Sequence, residues 1–286
     1  PKDVITAIDG KSTRGMTTED AVKLIRGPVG TKVTLKLQRS SGALVSVDLI
    51  RDRIELHAVD TRLNTAPDGG KVGYIRLKQF NANAAKDMRD AIAELKKQGA
   101  QGFVLDLRSN PGGLLMASVE IARQWLDEGV IVSSKTRDGV NDVKKASGRA
   151  LTTAPLVVLV NEGSASASEI LSGAIQDNKR GTIVGKTTFG KGLIQSVRPL
   201  SDGSGMTVTI AKYLTPSGRD IHKNGIKPDV VAGLSEAQAR SLKFDELGTR
   251  SDPQYRVAET ELSKLLRSSK QAPEVSFEPS RKLPAL

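Results

Sequence analysis

Two short apolar runs constrain the fold of this chain more than any other feature. FVLDL (103–107) and LVVLV (156–160) are near-continuous rather than alternating in their apolar residues, the pattern of strands covered on both faces. Each stops at a small-residue turn, SNPGG or NEGSASAS, and a helix-like pattern follows. Ahead of the first run KVGYIRL reads as a strand, and Ala84, Met88, Ala91, Ile92 and Leu95 share one face of a helix that Gly99 closes. A second helix is expected from about Leu115 to Asp127, leading into the strand VIVS, and a third from about Ala167 to Lys179. Strands alternating with helices predict an α/β domain, its sheet packed on helices. After Gly185 the signals change to hairpins, LIQSVRPL and MTVTIAKYL about the turn SDGSG. Asp252-Pro253 then supplies the N-cap and first residue of a late helix.

Residues 1–55 have a different texture. VITAID runs to the turn pair Asp9-Gly10, and Thr17 or Thr18 caps the helix EDAVKLIR, which Gly27-Pro28 stops. TKVTLKLQR and ALVSVDLIR alternate about SSG, as a β-hairpin does. Residues 56–70, ending in APDGG, read as a linker, and 71–267 as one core with a helical C-terminal segment. The Pro-rich residues 268–286 read as a mobile tail.

Several classes of function are excluded by what the chain lacks. It has no cysteine, so thiol catalysis, disulfides and thiolate metal sites are ruled out. Its two histidines, His57 and His222, have no motif around them and read as structural or surface residues. There is no His-Glu-x-x-His, no P-loop and no Gly-x-Gly-x-x-Gly after a strand, so neither metal nor cofactor is expected. Aromatics at 3% argue against stacking on single-stranded nucleic acid. The net charge of +11 is interleaved with acids along the chain, which suits a solvated basic surface. No apolar run approaches the about 18 residues of a membrane span. The opening PKDVITAIDG does not resemble a signal peptide, and without an initial Met the chain reads as a processed one.

What remains is a serine without a histidine base. Ser166 falls in NEGSASASEI, where a buried strand ends and a helix begins. There the unpaired N–H groups and the positive end of the helix dipole can stabilise an oxyanion. Taken alone, SASAS also reads as a cluster of N-caps. Gly112-Gly113 ends another buried strand, and glycine amides can face an anion, although Pro-Gly-Gly alone is an ordinary turn. Lys191, in FGKGL 25 residues after Ser166, is by default a surface turn lysine. As a base it must be neutral, and bringing a lysine from about 10.4 to about 7 takes roughly 4.6 kcal/mol, supplied only by burial or a nearby cation. Gln195 lies on the same face of a regular strand, but ~13 Å further along. A direct bond from it to Lys191 therefore needs a bend or bulge near Gly192.

The N-terminal stretch resembles the second half of a PDZ domain, whose closing run is matched by DVITAIDG and AVKLIRGPVGTKVTLKLQR. Pro1-Lys2-Asp3 stands where Pro-Gly-Asp is usual, and the half with the carboxylate-gripping loop is missing, so a complete tail-binding groove is not expected. DLRSNPGGLL, NEGSASASEI and VGKTTFGKGLIQ resemble, in order and spacing, the carboxyl-terminal processing or tail-specific proteases, a family of Ser/Lys peptidases.

That resemblance implies an α/β core related to the crotonase and Clp-protease architecture, preceded by a partial α+β PDZ domain and followed by β-hairpins and C-terminal helices. It implies Ser166 as nucleophile, Lys191 as general base and Gln195 as the residue orienting Lys191. The amides of Gly112 and Ala167 would form the oxyanion hole, with Gly113 an alternative to Gly112. It also implies no cofactor and protein substrates with exposed C-terminal tails. Nucleic acid and an integral membrane segment are not expected, and peripheral membrane association stays open. The location would be extracytoplasmic, in a periplasm or thylakoid lumen. TRLNTAPDGGKVGYIRLKQF and DPQYRVAETELSKLL look cyanobacterial or plastid-like. That subgroup includes enzymes trimming the precursor tail of the photosystem II reaction-centre subunit. Two other readings share the fold. A non-catalytic binding module needs no Ser/Lys pair. A crotonase-type acyl-CoA enzyme would want an acidic catalytic side chain and an adenine pocket.

Overall fold

The computed structural model describes residues 3–53 and 57–271. The chain divides into two units, Pro1–Leu56 and His57–Leu286. Pro1, Lys2 and most of the expected tail (272–286) lie outside the described residues, as do 54–56.

In the first unit β1 (Val4–Ile8), β2 (Lys11–Ser12), β3 (Lys32–Gln38) and β4 (Leu44–Ile50) form an antiparallel sheet in the order β2-β1-β3-β4. α1 (Thr18–Ile25) follows β2, and its N-cap is Thr17, whose hydroxyl accepts the Asp20 N–H at 3.2 Å. Its core is small: Ile8, Val33 and Leu35 against Ala21, Leu24 and Ile25.

The second unit is built on six strands. β5 (Val59–Thr65) and β6 (Lys71–Leu77) are antiparallel; β7 (Gly102–Asp106), β10 (Leu156–Val160), β11 (Thr182–Gly185) and β14 (Val230–Val231) continue from β6 in parallel. The order is β14-β11-β10-β7-β6-β5. Burial on both faces explains the continuous apolar runs. Phe103, Leu105, Leu156, Val158 and Val160 face α2 (Ala84–Lys97), α3 (Leu115–Trp125) and α4 (Ala167–Asp177), while Val104, Val157 and Leu159 face α6 (Pro253–Gln271) through Tyr255, Ala258 and Leu262. A second sheet, β12-β13-β8-β9, joins β8 (Val130–Thr136) and β9 (Gly139–Lys145) to the long hairpin β12 (Leu193–Pro199) and β13 (Gly205–Leu214). The short helix α5 (Glu236–Ser241) precedes α6. No helix among the described residues is long and apolar enough to cross a membrane.

The structure differs from the sequence expectations at several places, and the short elements β2, β11, β14 and α5 were not anticipated. The span read as a linker contains β5. VDTRLNT is an edge strand with mostly polar, exposed side chains, so it has no apolar signature and depends on the ladder to β6. β9, equally polar, was not anticipated. α6 continues to Gln271, past residue 268 where the tail was expected to start.

Candidate active site

The sheet order brings three loops to one edge. β11, β10 and β7 are parallel neighbours, so the segments leaving their carboxyl ends lie side by side. These segments carry Lys191, Ser166 and Gly112 respectively.

Ser166 occupies the N-cap of α4 at φ 55° and ψ −111°, an unfavourable conformation for a residue with a Cβ. The three serines of SASAS are not equivalent. Ser164 is buried, its hydroxyl donating to Leu107 O at 2.7 Å and accepting the Asn161 N–H at 3.0 Å. Ser168 is buried, donating to Asn110 O at 2.9 Å. Of the three, Ser166 alone is partly exposed, and among the described residues its hydroxyl bonds to no other side chain.

Glu169 fastens this turn to the lysine loop. Fully buried, its carboxylate receives four donors. Oε2 accepts the N–H groups of Ser166 and Lys191, both at 2.8 Å; Oε1 accepts the Thr188 hydroxyl at 2.6 Å and the Gly190 N–H at 2.7 Å. The reading of the sequence missed this residue. Its signal was the Ser-x-x-Glu spacing of a capping box at the head of α4.

The Lys191 side chain is exposed, and among the described residues its amine makes neither a hydrogen bond nor an ion pair, including to Ser166. Its backbone is confined. A Cβ on Gly192 would stand 2.5 Å from His222 N, and Gly192 O accepts the Tyr213 N–H at 2.7 Å. Gln195 is exposed on β12, just beyond a register shift between Ile194 and Gln195. The irregularity that a Lys191–Gln195 contact requires is thus present three residues from Gly192, although the two side chains are not bonded.

Gly112 meets the serine turn directly. It has φ 100°, and a Cβ there would lie 2.9 Å from Ser166 Cβ and 3.0 Å from Ala167 N. Its N–H donates to Asn110 Oδ1 at 2.9 Å, whereas the Ala167 N–H, at the first position of α4, has no hydrogen-bond acceptor among the described residues. Gly113 is held against Phe80, its hypothetical Cβ 2.2 Å from Phe80 O. Asn110 organises this corner: its Nδ2 donates to Leu77 O at 2.7 Å, and its own carbonyl accepts from Ala165 N at 3.0 Å and Ser168 Oγ.

Beneath the loop that carries Gly112, Arg108 is buried between two carboxylates. It donates to Asp106 Oδ2 at 2.5 Å and to Asp252 Oδ2 at 2.6 Å, and Tyr74 donates to Asp106 at 2.7 Å. Burial by itself would push the Asp106 carboxyl up, but the Arg108 guanidinium outweighs it and holds the group below the usual carboxylate range. Burial beside Asp106 pushes the Tyr74 phenol up. His57 is exposed, 3.9 Å from Asp87, and His222 hydrogen-bonds through its backbone N–H to Asp220; among the described residues neither side chain bonds to a hydroxyl.

The profile of peptidase family S41 matches residues 71–232, more than half of the chain. The chain belongs to peptidase family S41. A PDZ-domain profile matches residues 1–39. The carboxyl-terminal-processing protease of Synechocystis sp. is 50% identical over 260 residues, covering 90% of this chain and 60% of that protein. The chloroplastic carboxyl-terminal-processing peptidase 2 of Arabidopsis thaliana is 46% identical over 235 residues, covering 80% and 45%. The solved photosystem II D1 C-terminal processing protease matches with a TM-score of 0.61 at 39% identity, over 88% of this chain and 69% of that one. This S41 chain thus spans about three fifths of the length of its Synechocystis relative. Its fold is the mixed α/β fold of S41 proteases, with a PDZ segment at the N-terminus.

Proposed function

We propose that this chain is a serine endopeptidase that cleaves protein substrates near their C-termini. The observation that carries the reading is the Glu169 carboxylate, which ties the strained turn of Ser166 to the loop of Lys191 inside the S41 segment. Ser166 Oγ attacks the scissile carbonyl while Lys191 accepts its proton, giving a tetrahedral intermediate and then an acyl-enzyme. Protonated Lys191 returns the proton to the leaving amine, and water, activated by the same amine, releases the acyl group. The amides of Ala167 and Gly112 receive the oxyanion, Gly112 by exchanging its bond to Asn110 for one to substrate. The exposed, unbonded Lys191 side chain is consistent with a resting arrangement. A substrate strand laid over it would exclude water and bring the amine to Ser166, with Gln195 orienting it.

The name of the D1 C-terminal processing protease supports a substrate tail of the same kind, and the family resemblance suggests an extracytoplasmic location, in a periplasm or thylakoid lumen. We place a partial PDZ domain at 1–55 and the protease core, of the crotonase and Clp-protease type, at 71–267, with β5, from within the span 56–70, as an edge strand of the core sheet.

A fluorophosphonate probe tests the reading. Labelling confined to Ser166, with turnover of a tail-bearing substrate lost in Ser166→Ala and in Lys191→Ala, is the expected result. Wild-type turnover in Ser166→Ala sinks it and favours a non-catalytic binding module.

A further inference from the structure

The second sheet carries a charged groove that the catalytic roles leave unused. Its volume is about 440 Å³; Lys135, Arg137, Lys212 and Asp220 line it together with the apolar Ile210 and Leu214. Lys135 and Lys212 are direct partners in the pairing of β8 with β13, and like charges at paired positions repel. The only carboxylate among the lining residues, Asp220, is already engaged. It accepts from Lys212 Nζ at 3.1 Å and from the His222 N–H at 2.8 Å. Neither Lys135 nor Arg137 has an ion-pair partner among the described residues. Three cations against one carboxylate leave an unbalanced positive charge around an apolar surface.

Strand pairing links this groove to the segment that carries Lys191 and Gln195. Leu193, two residues past Lys191, pairs with Lys212, and Gln195 pairs with Thr209, another lining residue. An extended polypeptide crossing Lys191 would reach the groove within two or three residues, roughly 7–10 Å.

We propose that the groove is a substrate subsite for acidic side chains, taking Asp or Glu residues of the polypeptide being cleaved while a neighbouring apolar residue rests on Ile210 and Leu214. This rests on the peptidase reading above. The excess of two cations fits paired side-chain carboxylates better than the single charge of a chain terminus.

The test uses the Ser166→Ala chain, which binds without cutting, and two fluorescent peptides with amidated ends that differ only in Glu or Gln at two positions. Fluorescence anisotropy should show the Glu peptide binding about 5- to 10-fold tighter, with the margin shrinking as salt is raised. The margin should vanish in Ser166→Ala/Lys135→Gln/Arg137→Gln and persist when Lys97→Gln, on α2 outside the groove, is the added change. Equal binding of the two peptides, or a margin that survives the double change in the groove, overturns the subsite. Cleavage by the unsubstituted chain separates the two ideas. Cleavage without a binding preference refutes the subsite and leaves the peptidase reading standing. A preference with no cleavage of either peptide upholds the acidic groove and refutes the peptidase reading.

Discussion

Glu169 holds the backbone of Lys191: its Oε2 accepts the Lys191 N–H at 2.8 Å, and the same oxygen takes the Ser166 N–H. The two residues proposed for catalysis are thus joined through a buried carboxylate and not through their own side chains. A change at Glu169 should therefore alter both stability and reactivity.

Glu169→Ala leaves four donors without their acceptor, and each unpaired buried group costs about 1–3 kcal/mol. A large fall in Tm and loss of fluorophosphonate labelling are expected. Glu169→Gln preserves the volume but turns an NH2 group toward N–H donors. It should keep more of the stability while still slowing labelling of Ser166 at least about 10-fold, a loss of ~1.4 kcal/mol. Wild-type labelling kinetics in Glu169→Gln would show that the connection is structural only.

The serines of the turn should separate cleanly. Ser164→Ala removes two hydroxyl bonds and Ser168→Ala one, each worth about 0.5–1.5 kcal/mol, and both variants should still be labelled. Ser166→Gly should abolish labelling and raise stability by about 1 kcal/mol, because glycine accepts φ 55° without a Cβ penalty. Thermal denaturation and intact-mass measurement read both effects. Labelling that survives in Ser166→Gly would move the nucleophile elsewhere.

Gly112→Ala places a methyl group against Ser166 Cβ and the Ala167 amide, at a φ of 100° that an L-residue resists. Turnover should fall by about 100-fold or more, in the range seen when an oxyanion donor is lost. The accompanying change in Tm should be about 1–3 kcal/mol in equivalent stability. Unchanged kcat would remove Gly112 from the site.

Asp106 gives a pH dependence whose sign is fixed. Its folded pKa lies below its unfolded value of about 3.9, so its contribution is complete above that pH and is lost as pH falls toward the folded value. Tm should drop steeply below about pH 4 in the parent chain. Asp106→Asn breaks a buried pair at a cost of about 3–5 kcal/mol and should flatten part of that drop. An acid limb identical in the two proteins would assign the effect to other carboxylates.

Much of this was readable in the chain itself. The runs FVLDL and LVVLV announced buried parallel strands because both of their faces meet apolar neighbours. Edge strand β5 was missed for the opposite reason: its polar side chains face solvent, and ladder pairing leaves no mark on residue type. Glu169 had a local signal as a capping box, but that motif predicts only its bond to Ser166. The bonds to Thr188, Gly190 and Lys191 come from a loop about 20 residues away.

The sequence by itself determined the alternation that makes an α/β sheet, the absence of a thiol or histidine route, and the motifs carrying Ser166, Lys191, Gly112, Ala167 and Gln195. The family resemblance had already singled out Ser166, but only the tertiary structure showed how the three serines of one turn differ physically, through what packs around their hydroxyls. It likewise left the Lys191 amine in solvent while fixing its backbone. Side-chain reach, burial and hydrogen-bond closure depend on segments distant in sequence, and those meet only when the parallel order of β7, β10 and β11 brings their carboxyl ends to one edge.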